Sequence, residues 1–114
     1  MSTRNWNYQR KSSLKYTVKT ASATLTKAEL DNGFIVGNHA SVTVALTLPA
    51  ASTLYKGCRS YIANKGAATT TVAVSAGYGG AGSGTDTVTL AQGNMCVVAC
   101  DGSAWYVVHH TTGA

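Results

Sequence analysis

The residues best suited to chemistry are three cysteines and three histidines, and we ask first whether they form a site. They are Cys58, Cys96, Cys100, His39, His109 and His110. A cysteine beside a histidine could act as a nucleophile, and such residues could also bind zinc. However, Cys96 and Cys100 are an even number of residues apart on one predicted strand, so they share a face. Because free cysteine is among the most buried residue types, we interpret all three as core residues and expect no metal.

The other chemistry-bearing patterns are equally weak. The four acids are Glu29, Asp31, Asp86 and Asp101, and nothing in their spacing brings two together as a hydrolytic pair. The glycine-rich run GYGGAGSG at 77–84 lacks the Gly-Lys-Ser/Thr ending and the following helix of a phosphate loop. We interpret it as a surface loop in which Tyr78 contacts a ligand or a neighbouring subunit. The sequence therefore predicts a protein that is not an enzyme and needs no cofactor.

Charge is concentrated at the start of the chain. The 114 residues carry a formal net charge of +5, and only 11% are charged, against about 25% in a typical domain. The first 27 residues contain no acid and hold these basic residues: Arg4, Arg10, Lys11, Lys15, Lys19 and Lys27. A basic segment suits an acidic partner, either nucleic acid or a protein surface.

Residues 1–13 are polar and basic, and we interpret them as an extended arm. The simplest alternative is a solvated tail. The aromatic residues of the arm could stack on bases or anchor it in a pocket of a neighbouring subunit, and we favour the pocket. The residues that we expect to contact the partner are Arg4, Trp6, Tyr8, Arg10 and Lys11. Because the rest of the chain lacks a basic face, we do not expect nucleic acid as that partner.

From residue 14 onwards, short alternating segments predict strands. The predicted strands are 14–25, 34–37, 41–49, 58–64, 69–76, 86–91, 95–101 and 103–110. Leu14, Tyr16 and Val18 should form the buried side of the first, and Val42 should face inward with the rest of its strand. Thr26 and Glu29 predict a capped helical turn, and Asp101-Gly102 predicts a hairpin. The spacing favours one all-β domain over 14–114, an antiparallel β-sandwich or a jelly-roll or barrel-like fold.

The last two predicted strands are apolar on both faces. A strand of this kind should be covered on both sides, so we expect one side to pack against another subunit. The contacts that we expect there are Trp105 and Tyr106, with Tyr78 from the loop. No run reaches the ~18–20 apolar residues of a membrane span, and the N-terminus lacks the apolar region of a secretory signal. We therefore expect assembly in the cytoplasm and no membrane partner.

Residues 41–108 resemble a module of tailed-bacteriophage structural proteins. The resemblance lies in the order of LTLPAASTLYKG, SYIANKGAATTTVAV, the glycine-rich stretch and DTVTLAQGNMCVVACDGSAWYVV. Such modules occur in tail fibres, tail spikes, head fibres and capsid decoration (cement) proteins. The resemblance implies a β-structured and often trimeric protein, and no catalytic residue belongs to the pattern.

The length of the chain favours one of these roles. A tail fibre usually carries such a module within a much longer chain, whereas this chain starts at Met1 and has room for one domain and an arm. We therefore expect a virion structural protein in the form of a capsid decoration protein. It would bind the major capsid protein on the outer capsid surface as a homotrimer, after assembly in the host cytoplasm. The alternative is a receptor-binding or tail-fibre module that contacts host glycan.

Overall fold

The structure, a computed structural model, describes residues 14–74 and 87–111. In these ranges the strands are β1 (Lys15–Lys19), β2 (Ala23–Thr24), β3 (Gly33–Gly37), β4 (Val44–Leu48), β5 (Arg59–Asn64), β6 (Thr70–Val74), β7 (Val88–Leu90), β8 (Met95–Cys100) and β9 (Trp105–His110). One α-helix, α1 (Lys27–Leu30), and one 3₁₀ turn (Thr53–Tyr55) complete the described elements. No helix in the described ranges is long and apolar enough to cross a membrane.

The strands form two mixed sheets. Sheet A has the strand order β1-β3-β5-β8-β9, and sheet B has the order β2-β4-β6-β7. The β1–β3 and β3–β5 pairs of sheet A are parallel, as are the β2–β4 and β4–β6 pairs of sheet B. The remaining three pairs are antiparallel. The all-β prediction is confirmed, whereas a wholly antiparallel sheet and a closed barrel are wrong.

The parallel pairing arises because the first six strands alternate between the two sheets. β1, β3 and β5 lie in sheet A, and β2, β4 and β6 lie in sheet B, so none of them pairs with its neighbour in sequence. The chain crosses to the other sheet after each strand and returns in the same direction, which makes neighbouring strands of one sheet parallel. Antiparallel pairing of strands that follow each other in sequence begins only with β6 and β7 and occurs again at β8 and β9.

Both sheets contribute to one hydrophobic core. Its buried members are Leu25, Leu30, Ile35, Val44, Leu46, Leu48, Cys58, Ile62, Val72, Val88, Leu90, Cys96, Val98, Cys100 and Trp105. Along β4 the members are alternate residues, as the period of a strand requires. The three cysteines are free thiols buried in this core, as predicted.

The predicted turns form with the expected chemistry. The Thr26 Oγ1 accepts from the Glu29 N–H at 3.3 Å, and a Glu29 carboxylate oxygen accepts from the Thr26 N–H at 2.9 Å, which is a capping box. In the hairpin, an Asp101 carboxylate oxygen accepts from the backbone of Ser103 and of Ala104, each at 2.8 Å. Gly102 has a φ of 101°, a conformation that favours glycine.

Asn64 ties the ends of the two sheets together. Its buried side-chain amide donates to the Ala68 carbonyl at 2.8 Å and to the Leu90 carbonyl at 2.9 Å, and its oxygen accepts from the Gly66 N–H at 3.0 Å. Asn64 ends β5 in sheet A, whereas Leu90 ends β7 in sheet B. One side chain therefore fixes two loops and joins the sheets.

The first and third predicted strands differ from the observed ones. The predicted strand 14–25 is two strands in different sheets, β1 and β2, because the chain turns between them. In the predicted strand 41–49, β4 begins only at Val44, so Val42 is exposed rather than inward. The backbone N–H groups of Ser41 and Val42 instead donate to the Nδ1 of His39, which holds this stretch in a turn.

Candidate interaction surface

The outer face of sheet A, which points away from the core, is lined by apolar and aromatic side chains. The register aligns Tyr16, Phe34 and Tyr61 across β1, β3 and β5, and the row continues to Val97 on β8. A second row aligns Val18, Val36, Ala63 and Met95. On the far strands, Ala99 lies opposite Tyr106. The apolar surface therefore extends over all five strands.

Several apolar side chains on this face are exposed to solvent. Tyr16 is 61% exposed and Val108 is 62% exposed, and Leu14, Val18 and Tyr106 are also exposed. Val36 and Val97 are buried, yet neither belongs to the core that the sheets share. Together these residues form a second, outward apolar layer. An exposed apolar patch of this kind is typical of an interaction site.

The orientation of β1 creates one edge of this layer. Its lysines lie on the inner side, where the Lys19 Nζ lies 2.7 Å from a Glu29 carboxylate oxygen and the Lys15 Nζ donates to the Ala28 carbonyl at 3.3 Å. The opposite side of the strand therefore points outward, which corrects the prediction that Leu14, Tyr16 and Val18 are its buried side. The helix α1 supplies both partners, the Glu29 carboxylate for Lys19 and the Ala28 carbonyl for Lys15.

The pKa of Glu29 reflects this contact. Partial burial raises the pKa of the carboxyl, but the hydrogen bond and charge of Lys19 and the bonds from Thr26 outweigh that effect, so the pKa lies below its usual value. The pair therefore favours the folded state whenever Glu29 is ionised.

The outer face of sheet A carries little charge. Among the described strand residues, Arg59 is the charged side chain on this face, and its guanidinium lies 5.9 Å from the centre of the Tyr61 ring. At the hairpin, the carboxylate of Asp101 forms the polar border of the face, beside Tyr106. The charge of Asp101 raises the pKa of Tyr106. The face therefore carries a single charged strand residue among those described, and its border at the hairpin is polar.

Two adjoining hollows lie on this face, and we refer to them together as the groove. Both are lined by Phe34, Ala63 and Gly93. One has a volume of about 380 Å³ and is also lined by Tyr16, Val36, Asn64, Lys65 and Gln92. The other has a volume of about 300 Å³ and is completed by Leu14, Tyr61 and Met95. Their size is at the lower end of the range for ligand pockets, which suits a side chain.

The outer face of sheet B has a different chemistry. Its register aligns Ala45, Thr71 and Thr89 in one row, and Thr24, Thr47 and Ala73 in another. The Thr43 and Thr69 hydroxyls lie 3.1 Å apart beside them. A layer of threonine and alanine is compatible with water, because each hydroxyl can bond to solvent.

The predicted contact residues divide into three groups. Those of the arm (Arg4, Trp6, Tyr8, Arg10, Lys11) and Tyr78 of the loop lie outside the described residues. Tyr106 lies on the outer face of sheet A, 41% exposed. The expectation that Trp105 contacts another subunit is wrong. Its side chain is fully buried, its Nε1 donates to the Pro49 carbonyl at 2.7 Å, and its ring lies 5.8 Å from that of Tyr55.

The cysteines and acids that could take part in catalysis have structural roles instead. Burial raises the pKa of Cys58 and raises that of Cys96 to about 12, so both thiols remain protonated near neutral pH. The carboxylates of Glu29 and Asp101 accept hydrogen bonds in the helix cap and in the hairpin. Among the described residues, no group of three or more histidines, cysteines or acids could hold a metal ion.

Sequence reasoning missed Phe34, Tyr61 and Met95 as surface residues. The signal was present, since residues 34–36 and 61–63 are apolar at consecutive positions, as are β8 and the first four residues of β9. Such two-sided apolar strands indicate cover on both faces. Comparison of the chain with protein-family models, curated proteins and solved structures found no match, so its function is argued from the surface described above.

Proposed function

We propose that this protein is a structural, self-assembling β protein in which part of the outer face of sheet A packs against a second copy of the chain. The observation that carries the proposal is the outward apolar layer across all five strands of sheet A. A water-exposed sheet needs no such layer, because the inner faces already form the core. Burial of the layer would stabilise an assembly by about 25 cal/mol per Å² of apolar surface.

A second copy suits this face better than a charged partner does. Among the described strand residues, Arg59 is the charged side chain on this face, so two copies can approach without strong repulsion. A nucleic acid or an acidic protein would be recognised by a basic surface, which this face does not provide. We infer a homo-oligomer, and the resemblance to phage modules makes a trimer the expected size.

The resemblance over residues 41–108 supports a more specific role, that of a capsid decoration protein. In this proposal the two sheets act as a compact sandwich, and the oligomer binds the major capsid protein on the outer surface of the head. The basic residues of the arm would meet an acidic capsid surface. Many weak contacts around one particle would add together, so each needs to contribute only a few kcal/mol.

Mass measurements test both parts of the proposal. Native mass spectrometry at micromolar concentration should show three copies of the 11.7 kDa chain, and a monomer would contradict self-assembly. Mass spectrometry of separated heads and tails from the particle should find the protein on heads. Its presence on tails alone would contradict the capsid role and favour the receptor-binding alternative, while leaving self-assembly intact.

A further inference from the structure

The groove on the outer face of sheet A lies where residues 1–13 join the domain. Leu14, the first described residue, lines one of the two hollows, and Tyr16 lines the other. The chain that precedes β1 therefore meets the domain at the groove itself. A segment attached at this point has a high effective concentration there, which corresponds to millimolar for a short flexible connection.

The arm is long enough to reach every part of the groove. Neighbouring strands lie ~4.8 Å apart, so β1 and β8 are separated by three such spacings, or ~14 Å. Tyr8 is six residues before Leu14, and Trp6 is eight residues before it. An extended chain spans ~3.3 Å per residue, so both aromatic residues can extend ~20 Å or more from Leu14.

The arm also has side chains that match the groove. Trp6 and Tyr8 are its large apolar residues and are two positions apart. In any extended chain, residues with this spacing share one side and are ~7 Å from each other. The groove consists of two hollows that share Phe34, so it can receive two neighbouring side chains. Its lining contains Lys65 but no acid, so it would bind the aromatic side chains rather than the cations.

We propose that residues 1–13 of the same chain lie along the groove, with Trp6 and Tyr8 in the two hollows on either side of Phe34. This contact is intramolecular and does not depend on self-assembly. It leaves the β8–β9 part of the face, with Tyr106 and Val108, to a second copy. It also separates two roles within the arm, because the aromatic residues bind the domain and the cations Arg4, Arg10 and Lys11 are left for an acidic partner.

Photocrosslinking from the arm tests this contact directly. The full chain carries Tyr8→benzoylphenylalanine, which keeps an aromatic side chain at that position. After irradiation, peptide mass spectrometry should find position 8 joined to the segment around Ala63 or around Gly93. The product should have the mass of one chain, with the same yield at nanomolar and micromolar protein concentration.

Two further variants make the result specific. Ala63→Lys places a charge in the groove and should reduce the crosslink about tenfold, because a charge in an apolar hollow is costly. Ala45→Lys on sheet B is the matched control and should leave the yield unchanged. Crosslinks between two chains, crosslinks outside the groove in the unmodified background, or an equal yield in Ala63→Lys would each overturn the proposal. Loss of the crosslink or an equal yield in Ala63→Lys would leave self-assembly untouched, which mass measurement reports separately.

Discussion

The outer faces of sheets A and B share one kind of framework but differ in their side chains. Each face lies on two parallel pairs followed by antiparallel pairing, with two antiparallel pairs in sheet A and one in sheet B, and each backs onto the same core. The face of sheet A presents Tyr16, Phe34 and Tyr61 in one row, whereas the equivalent rows of sheet B contain only threonine and alanine. An outer face of threonine and alanine, like that of sheet B, would also be sufficient for sheet A to fold. The difference supports the proposal that sheet A has a second role, in association.

The strongest test of this difference places a charge on each face. Val108→Asp should weaken self-association at least about 100-fold, because an unpaired charge buried in an interface costs several kcal/mol. Val108 is 62% exposed at the β-bulge of β9, so the isolated chain should still fold. Sedimentation equilibrium measures the change.

The matched control for this test is Thr89→Asp on sheet B. Thr89 is also an exposed strand residue, so the two variants differ mainly in the face that carries the charge. Equal loss of association in both would mean that the two faces do not differ in function. Urea unfolding followed by circular dichroism verifies that each variant is folded.

The next largest effect should come from a substitution in the core between the two sheets, and it should change stability rather than association. Trp105→Phe removes a hydrogen bond to Pro49 and part of a fully buried ring. We expect the free energy of unfolding to fall by about 2 kcal/mol, with association per folded chain unchanged. Urea titration followed by circular dichroism measures the loss. If association weakened while the unfolding midpoint of the isolated chain stayed constant, Trp105 would belong to an interface after all.

The contrast between Trp105 and Tyr16 shows what the sequence could predict. Alternation and turn residues located most strands, the capped helix at Thr26 and the hairpin at Asp101, because these depend on local chemistry. Alternation also shows which residues share a face, but not which face is inward. That choice depends on distant partners, such as Glu29 for Lys19, and on the sheet to which each strand returns.

The interaction surface was predictable only as a property of whole strands. Apolar residues on both sides of β8 and β9 indicated a second covered face. They did not show that Trp105 points to the core and Tyr106 away from it, because this follows from the register of β9 on β8. The groove was not predictable, since it needs the parallel pairing of β1, β3 and β5.

The Lys19–Glu29 pair gives a smaller, pH-dependent test of the edge of the apolar face. The pKa of Glu29 is lower in the folded protein than in the unfolded chain. Its contribution is therefore fully present above the unfolded pKa, near 4.5, and is lost as pH falls through the lower folded pKa. We expect about 0.5–1 kcal/mol for this partly exposed pair.

Glu29→Gln should remove this part of the acid-induced loss, as measured by urea unfolding between neutral and acidic pH. Asp31→Asn is the control, because the Lys27–Asp31 pair is longer, at 3.6 Å, and more exposed. If the two variants had the same pH dependence, the Lys19–Glu29 contact would not be what holds Lys19 inward.

The smallest expected effect comes from adding one apolar residue to the threonine face. Thr71→Val keeps the shape of the side chain and a high strand preference, so the free energy of unfolding should change by no more than about 0.5 kcal/mol. Association should also stay the same, because Thr71 lies between Ala45 and Thr89 and one valine there does not create a contiguous patch. Sedimentation equilibrium and urea unfolding measure both quantities. Stronger association would mean that total surface hydrophobicity, rather than the arrangement of rows on sheet A, controls assembly.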